Sequence, residues 1–350
     1  MMNGLVSIIT PCYNGAGYIG RLLDSVLMQD YPNIEMFVVD DGSTDDSYIV
    51  VNSYISKFKS KGFSLQCIRQ NNSGQAAALQ KALLQVSGEF LIWPDSDDFY
   101  SSINSISEFV KRFSVLPTEY GIVRCFVNYV SEKDHKFLYL RKFKDNKEKQ
   151  FEEFFLGKES IAVAGLYMVR MSSFDKANPE RKLYVKEHPQ NWQMLLPVLY
   201  SSKISTIEKP LYTVVIRDNS HSRAKQTFER SLKILEGYLN ILVNTIDQIK
   251  MSKYEKEKYI LMIKKYIYLE RVNCTLFYYK KNNIYSMCHE YKAIGGTLSL
   301  GKRVKITALL IHPVLLKILM FFLNVKRIKW NFDLFSDLVY KFSKQSKNGY

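Results

Sequence analysis

Phe37-Val38-Val39-Asp40-Asp41-Gly42-Ser43-Thr44-Asp45 runs from an apolar strand directly into an acidic turn. Phe90-Leu91-Ile92-Trp93-Pro94-Asp95-Ser96-Asp97-Asp98 repeats the pattern further along. Aspartates crowded at strand ends are poor folding material, because close carboxylates repel and each needs hydrogen bonds or a cation. In an open α/β sheet the carboxyl ends of the strands are where ligands bind. The two clusters therefore predict one site, holding a hydroxyl-rich, phosphorylated ligand through a divalent metal.

Outward from these clusters, the first hundred residues alternate strand and helix. Apolar runs at 5–10, 34–39, 64–68 and 89–93 read as strands. Between them, 18–28, 45–58 and 74–86 carry helical spacing, as at Ile19, Leu22, Leu23, Val26 and Leu27. That alternation predicts a parallel sheet with right-handed crossovers. After residue 100 a helix (103–116) and short strands (122–127, 166–169, 211–216) are expected, with a helix at 190–199. From 226 onward the chain reads as long helices rich in Lys, Tyr, Ile and Leu, so a boundary is placed near 225.

The composition, 47% hydrophobic and 24% charged over 350 residues, is that of a folded protein. Residues 1–224 hold 26 Lys+Arg against 25 Asp+Glu, whereas 225–350 hold 23 against 9. Whatever the charge attracts is therefore attracted by the last third. Cys12, Cys67, Cys125, Cys274 and Cys288 show no C-x-x-C pair and no metal-ligand spacing, which argues for reduced thiols. No basic stretch precedes the first strand, so a secretory leader is not expected.

Gly15-Ala16-Gly17-Tyr18-Ile19-Gly20 has the G-x-G-x-x-G form, with Asp40 twenty residues on. Thr10-Pro11-Cys12-Tyr13-Asn14 intervenes before the first glycine, which puts the tight turn in the wrong place for a dinucleotide site. A different family fits better. Val6-Ser7-Ile8-Ile9-Thr10-Pro11-Cys12-Tyr13-Asn14, the run 38–45 and Asp95-Ser96-Asp97-Asp98 together resemble the family 2 glycosyltransferases, in the right order and spacing. The resemblance spans residues 5 to roughly 223. It implies a GT-A fold, that is, an α/β Rossmann-like, mostly parallel sheet, here with a C-terminal helical extension. The domains would be 1–224, catalytic, and 225–350, basic and helical.

The resemblance also implies roles. Asp97 would be the metal ligand of a D-x-D motif, and Asp95 would contact the ribose or the metal shell. Asp41 would accept a hydrogen bond from the base, with Thr10, Pro11 and Tyr13 lining the nucleoside pocket. Mn²⁺ or Mg²⁺ would neutralise the diphosphate as it leaves. Gln70-Asn71-Asn72-Ser73-Gly74-Gln75 resembles the segment beneath the donor, where a helix N-terminus favours phosphate. Arg217, His221 and Arg223 would meet the diphosphate, and His221 is a second candidate metal ligand.

The chain departs from the family at the general base. An inverting transferase needs a carboxylate to take the acceptor's proton, and the family draws it from an acidic pair at a helix start. Here that stretch reads Lys186-Glu187-His188-Pro189-Gln190-Asn191-Trp192, with amides at the paired positions. Glu187, His188 and Asp98 are the alternatives, with Asn191 as an acceptor-positioning group. A decayed, nucleotide-sugar-binding or membrane-scaffold protein stays open as the other reading.

Lys302-Arg303-Val304-Lys305 and Lys326-Arg327-Ile328-Lys329-Trp330 bracket the apolar stretch 306–325. Lys317 and His312-Pro313 interrupt it, so an interfacial helix on an anionic membrane is expected rather than a spanning one. A buried core helix is the alternative. The expected enzyme is thus a peripheral protein on the cytoplasmic, inner face of the cell membrane. It would act on a nucleotide-sugar, most simply a UDP-sugar, and a carbohydrate or lipid-linked acceptor for surface polysaccharide. No recognised nucleic-acid-binding motif is present, so nucleic acid is not an expected partner.

Overall fold

A computed structural model describes residues 2–143, 150–156, 163–183, 190–217 and 227–323. Among them, β1 (Met2–Cys12), β2 (Ile34–Asp40), β3 (Ser64–Arg69) and β4 (Gly88–Ile92) form the expected parallel half-sheet, in the order β3-β2-β1-β4. β2 and β4 are buried almost throughout, as in parallel sheets covered on both faces. The helix α1 (Ile19–Leu27) buries Ile19, Leu22, Leu23 and Val26, and each such side chain contributes about 1.5–3 kcal/mol. α4 (Gln75–Leu83) packs on β1 and β2 through Ala76, Ala78, Leu79 and Ala82, whose small size permits close approach. The helix expected at 45–58 is two, α2 (Ser47–Ser53) and α3 (Ile55–Ser60), joined by an i→i−3 turn at Tyr54.

The rest of the sheet is mixed. β5 (Phe99–Tyr100), β6 (Tyr120–Ser131), β7 (Phe137–Arg141), β8 (Tyr167–Arg170) and β9 (Lys203–Ile216) extend it in the order β4-β8-β6-β9-β5, with β7 beside β6. β8, β5 and β7 run antiparallel to their neighbours, while β6 and β9 are parallel to each other. This is the α/β GT-A arrangement. β9 is longer than the expected 211–216 because Pro210, which reads as a break, sits at a register shift against Phe126 and leaves pairing intact on both sides.

The C-terminal helices are α9 (Phe228–Gln248), α10 (Lys253–Phe277), α11 (Ile284–Ala293), α12 (Leu300–Ile311) and α13 (Pro313–Leu323). The hydrophobic core does not divide at 225. Phe228, Leu235, Ile241, Leu242, Ile246, Ile263 and Ile267 belong to the same cluster as the sheet. Trp192, on α8 (Asn191–Ser201), meets Tyr238 edge-on at 5.0 Å between ring centroids. A second, smaller core gathers Val272, Leu276, Ile284, Met287, Tyr291, Leu309 and Leu316 at the far end of α10. The stretch expected as one helix at 306–325 breaks at His312, where φ −160° and ψ 134° are extended and Pro313 restarts the helix. Among the described residues, no helix is long and apolar enough to cross a membrane.

One glycine ties the fold to the site. Gly165 has φ +79°, and a Cβ there would lie 2.3 Å from Cζ of Tyr212 on β9. Both the backbone conformation and the ring position demand its lack of a side chain. Gly165→Ala is expected to cost about 2–4 kcal/mol, read as a lower urea midpoint with unchanged slope.

Candidate active site

Four strand ends supply the site. Cys12, Asp40 and Arg69 stand side by side in register at the ends of β1, β2 and β3. Arg69 Nε pairs with the fully buried Asp40 at 3.1 Å, and Asp40 also accepts from the Ser43 N–H. The turn after β2 is stitched to the turn after β1. Asn14 N–H donates to Ser43 Oγ, Thr44 N–H to Asn14 Oδ1, and Gly15 N–H to Ser47 Oγ. Thr10 is fully buried, and its Oγ1 has no hydrogen-bond partner among the described residues. Pro11 is buried and Tyr13 half exposed, so the expected nucleoside-lining residues share one strand end.

Asp41 has a firmer role than a turn residue. It is buried and accepts from Gln70 Nε2 at 2.7 Å, Ser73 N–H at 2.8 Å and Gly74 N–H at 2.8 Å. Gly74 is the N-cap of α4, so the carboxylate meets the helix's free N–H groups and its positive end. Gly42 lets the 70–72 backbone lie against this turn, since a Cβ there would be 2.7 Å from Asn72 N. Asp41 therefore shapes the donor loop with three of its accepting positions.

The acidic loop after β4 is held from every side. Asp95 Oδ1 accepts from Gln75 Nε2, the first residue of α4, at 2.8 Å. Asp97 pairs with the Arg217 guanidinium, which lies 4.3 Å over the Tyr18 ring. Arg21 Nη2 donates to the Asp97 carbonyl. The Asp95 N–H donates to Tyr212 Oη at 3.2 Å, and that hydroxyl donates to Asp98 Oδ2 at 3.3 Å. Val215 N–H donates to Asp98 Oδ1 at 2.9 Å. Desolvation and the nearby Asp97 charge push the Asp95 carboxyl up to about 7. The same causes, with Asp95 added, raise Asp98 well above the usual carboxylate range.

The expected base candidates separate here. Asp98 is buried with both oxygens committed to β9, so it fastens the acidic loop and does not face an acceptor. Asn191 is buried at the start of α8, and its Oδ1 accepts from Trp93 Nε1 at 2.7 Å. Glu187, His188, His221 and Arg223 lie outside the described residues. Sequence reasoning assigned no role to Tyr212, Gln75, Tyr18, Arg21 or Trp93. Only the indole of Trp93, directly before the acidic run, marks a polar partner in sequence.

Two carboxylate oxygens fit a divalent cation. Gln75 and Arg217 each take one oxygen of Asp95 and Asp97, leaving the other of each without a partner among the described residues. No group of three or more His, Cys, Asp or Glu side chains there could hold a metal unaided. A Mg²⁺-type cation is one that one or two carboxylates can hold, with phosphates and water completing its shell.

A family profile described as "Glycosyl transferase family 2" matches residues 7–177. It covers Asp41 and 95–98 and ends before Asn191 and Arg217. An uncharacterised glycosyltransferase of Rickettsia typhi is 34% identical over 137 residues, 39% of this chain and 41% of that protein. The poly(ribitol-phosphate) β-N-acetylglucosaminyltransferase TarS of Staphylococcus aureus is 40% identical over 95 residues, 27% of this chain and 16% of TarS. The chain thus spans less than half the length of the curated relatives it matches. In fold, residues 1–349 of S. aureus TarS, in complex with UDP-GlcNAc, align with TM-score 0.58 at 16% identity over 88% of this chain and 90% of that one. A mannosyltransferase of Pyrobaculum calidifontis, in complex with GDP-Man and Mn²⁺, aligns with TM-score 0.53 at 15% identity, over 89% and 86%.

Asp41→Ala removes the common acceptor of three donors at the α4 N-terminus. It is expected to cost about 2–4 kcal/mol, measured by urea unfolding, and to weaken donor binding as the 70–74 loop loosens.

Proposed function

The chain carries a family 2 glycosyltransferase domain, and from that premise we propose that it transfers a sugar, with inversion, from a UDP-sugar to a hydroxyl of a carbohydrate or lipid-linked acceptor. The observation that carries the reading is the convergence of Thr10, Asp41, Asp95, Asp97 and Arg217 at one edge of the sheet. The TarS fold, seen with UDP-GlcNAc, supports a uridine donor.

In this mechanism the nucleoside lies along the end of β1 beside the loop that Asp41 shapes. Asp95 and Asp97 would hold a divalent cation, whose chemistry when bound would be to offset charge developing on the departing diphosphate. Arg217 supplies a guanidinium to the same phosphates. The acceptor oxygen bonds to the anomeric carbon, and the bond from that carbon to the diphosphate breaks, its electron pair leaving with the diphosphate. The acceptor's proton passes to a carboxylate. With Asp98 turned inward and Asn191 an amide held by Trp93, Glu187 is the carboxylate we assign. Asn191 orients the loop through Trp93, next to the acidic run.

The acceptor is membrane-borne in this reading, and the product is a surface polysaccharide of bacterial type. Leu300 and Val304 on α12, Ile311 one turn beyond Thr307, then Val314 and Leu315 on α13, are all exposed. Arg303 and Lys317 are exposed among them, and the whole segment 225–350 carries the excess positive charge. An apolar stripe within a basic segment suits the cytoplasmic surface of an anionic membrane.

The test is transfer from radiolabelled nucleotide-sugars with and without a chelator. Glu187→Gln is expected to lower kcat by at least about 100-fold while UDP binding persists. Full turnover in that variant removes Glu187 as the base. UDP-sugar binding without turnover under any condition would favour the decayed, scaffold reading. For the membrane, Ile311→Glu combined with Val314→Glu should abolish flotation with anionic vesicles; unchanged flotation would contradict the docking surface.

A further inference from the structure

Asp97 faces two claimants. In the donor-free protein its carboxylate is held by Arg217, the residue directly after β9. The guanidinium also lies over the Tyr18 ring, at 4.3 Å, so its place is defined by two contacts on different elements. Arg21 meanwhile holds the Asp97 backbone carbonyl, which fixes the main chain and leaves only the side chain to change partners. Both side chains of the pair keep 23% of their surface exposed, enough for a ligand to reach them.

A guanidinium and a divalent cation on one half-buried carboxylate repel, because partial desolvation weakens the screening between them. We propose that Arg217 is a resident counter-cation on Asp97, which opposes a divalent metal at that carboxylate until a bound diphosphate draws the guanidinium away. The inference rests on the metal site and donor of the preceding section and adds an exchange to them. Without donor, the guanidinium stays on the carboxylate and an incoming metal meets its charge. With donor present, the displaced guanidinium moves to phosphate oxygens, which suit its planar fork. Metal and nucleotide therefore assist each other by more than their direct contact, and the coupling is reciprocal.

The geometry gives the exchange a direction. Asp95 cannot substitute as the guanidinium's acceptor without losing Gln75, and Asp98 is turned into β9. Asp97 is thus the carboxylate of the loop on which a protein cation and a metal overlap. Early metal binding without nucleotide is disfavoured, and a metal–nucleotide pair is favoured.

The experiment is calorimetric titration of the full chain with MnCl2, alone and with saturating UDP, for the wild type, Arg217→Ala, Arg217→Gln and Asp97→Asn. Without UDP, the two Arg217 variants are expected to bind Mn²⁺ about three- to tenfold more tightly than the wild type. The tightening of Mn²⁺ binding by UDP should shrink by a similar factor in those variants. Thermal melts of both variants check folding, and agreement between them excludes an effect of one misfolded protein. Equal or weaker Mn²⁺ affinity in both, or unchanged coupling to UDP, overturns the exchange. Absence of Mn²⁺ binding in the wild type with and without UDP overturns the metal site itself. Binding that Asp97→Asn leaves intact moves the metal away from Asp97 and defeats the exchange as well.

Discussion

Three carboxylates within four residues, Asp95, Asp97 and Asp98, set the terms for the rest of the molecule. Left to themselves they would repel and drive the loop apart. Each is instead assigned a different neighbour: Gln75 from α4, Arg217 from the end of β9, and the Val215 amide with the Tyr212 hydroxyl within β9. Those assignments require β9 to run back past the end of β4, which explains why a mixed second half is joined to a parallel first half. They also require Gly165, since Tyr212 fills the space a side chain would occupy.

The same arrangement divides the site into two halves of different kind. One half is built from β1–β4, is fastened by Asp40–Arg69 and by Asp41 at α4, and falls within the span matched by the family profile. The other half begins at α8, beyond that span, where Asn191 accepts a hydrogen bond from the indole of Trp93. α9 and the first part of α10 pack into the same core as the sheet, through Trp192–Tyr238 and the buried face of α9. The basic tip of α12 and α13 packs on the second core, and α10 contributes to both cores.

The parallel half of the fold was legible because its helices and strands carry their own periodicity: Ile19, Leu22, Leu23 and Val26 describe α1 without help from other elements. The acidic clusters were legible for a related reason, since carboxylates at strand ends have few structural uses. What sequence reading missed depends on distant contacts. The first half of β9 was hidden by Pro210, which is tolerated only because β6 shifts register opposite it. Tyr212 and Gln75 act on Asp98 and Asp95 across 114 and 20 residues, and no local pattern announces such pairs. Asp41, read as a contact for the base, also accepts three hydrogen bonds from the 70–74 loop, a role visible only once α4 is placed. Asp98 looked like any other acid of the run until its burial against β9 was seen.

In the proposed reaction the end of β4 and Arg217 jointly hold a metal–diphosphate pair. Anomalous diffraction from crystals of the full chain grown with UDP and Mn²⁺ addresses it most directly. A manganese peak is expected about 2.1 Å from an Asp97 carboxylate oxygen, with the diphosphate between it and Arg217 and the uracil beside Thr10. A peak remote from 95–98, or a nucleotide bound away from the ends of β1 and β4, would contradict it.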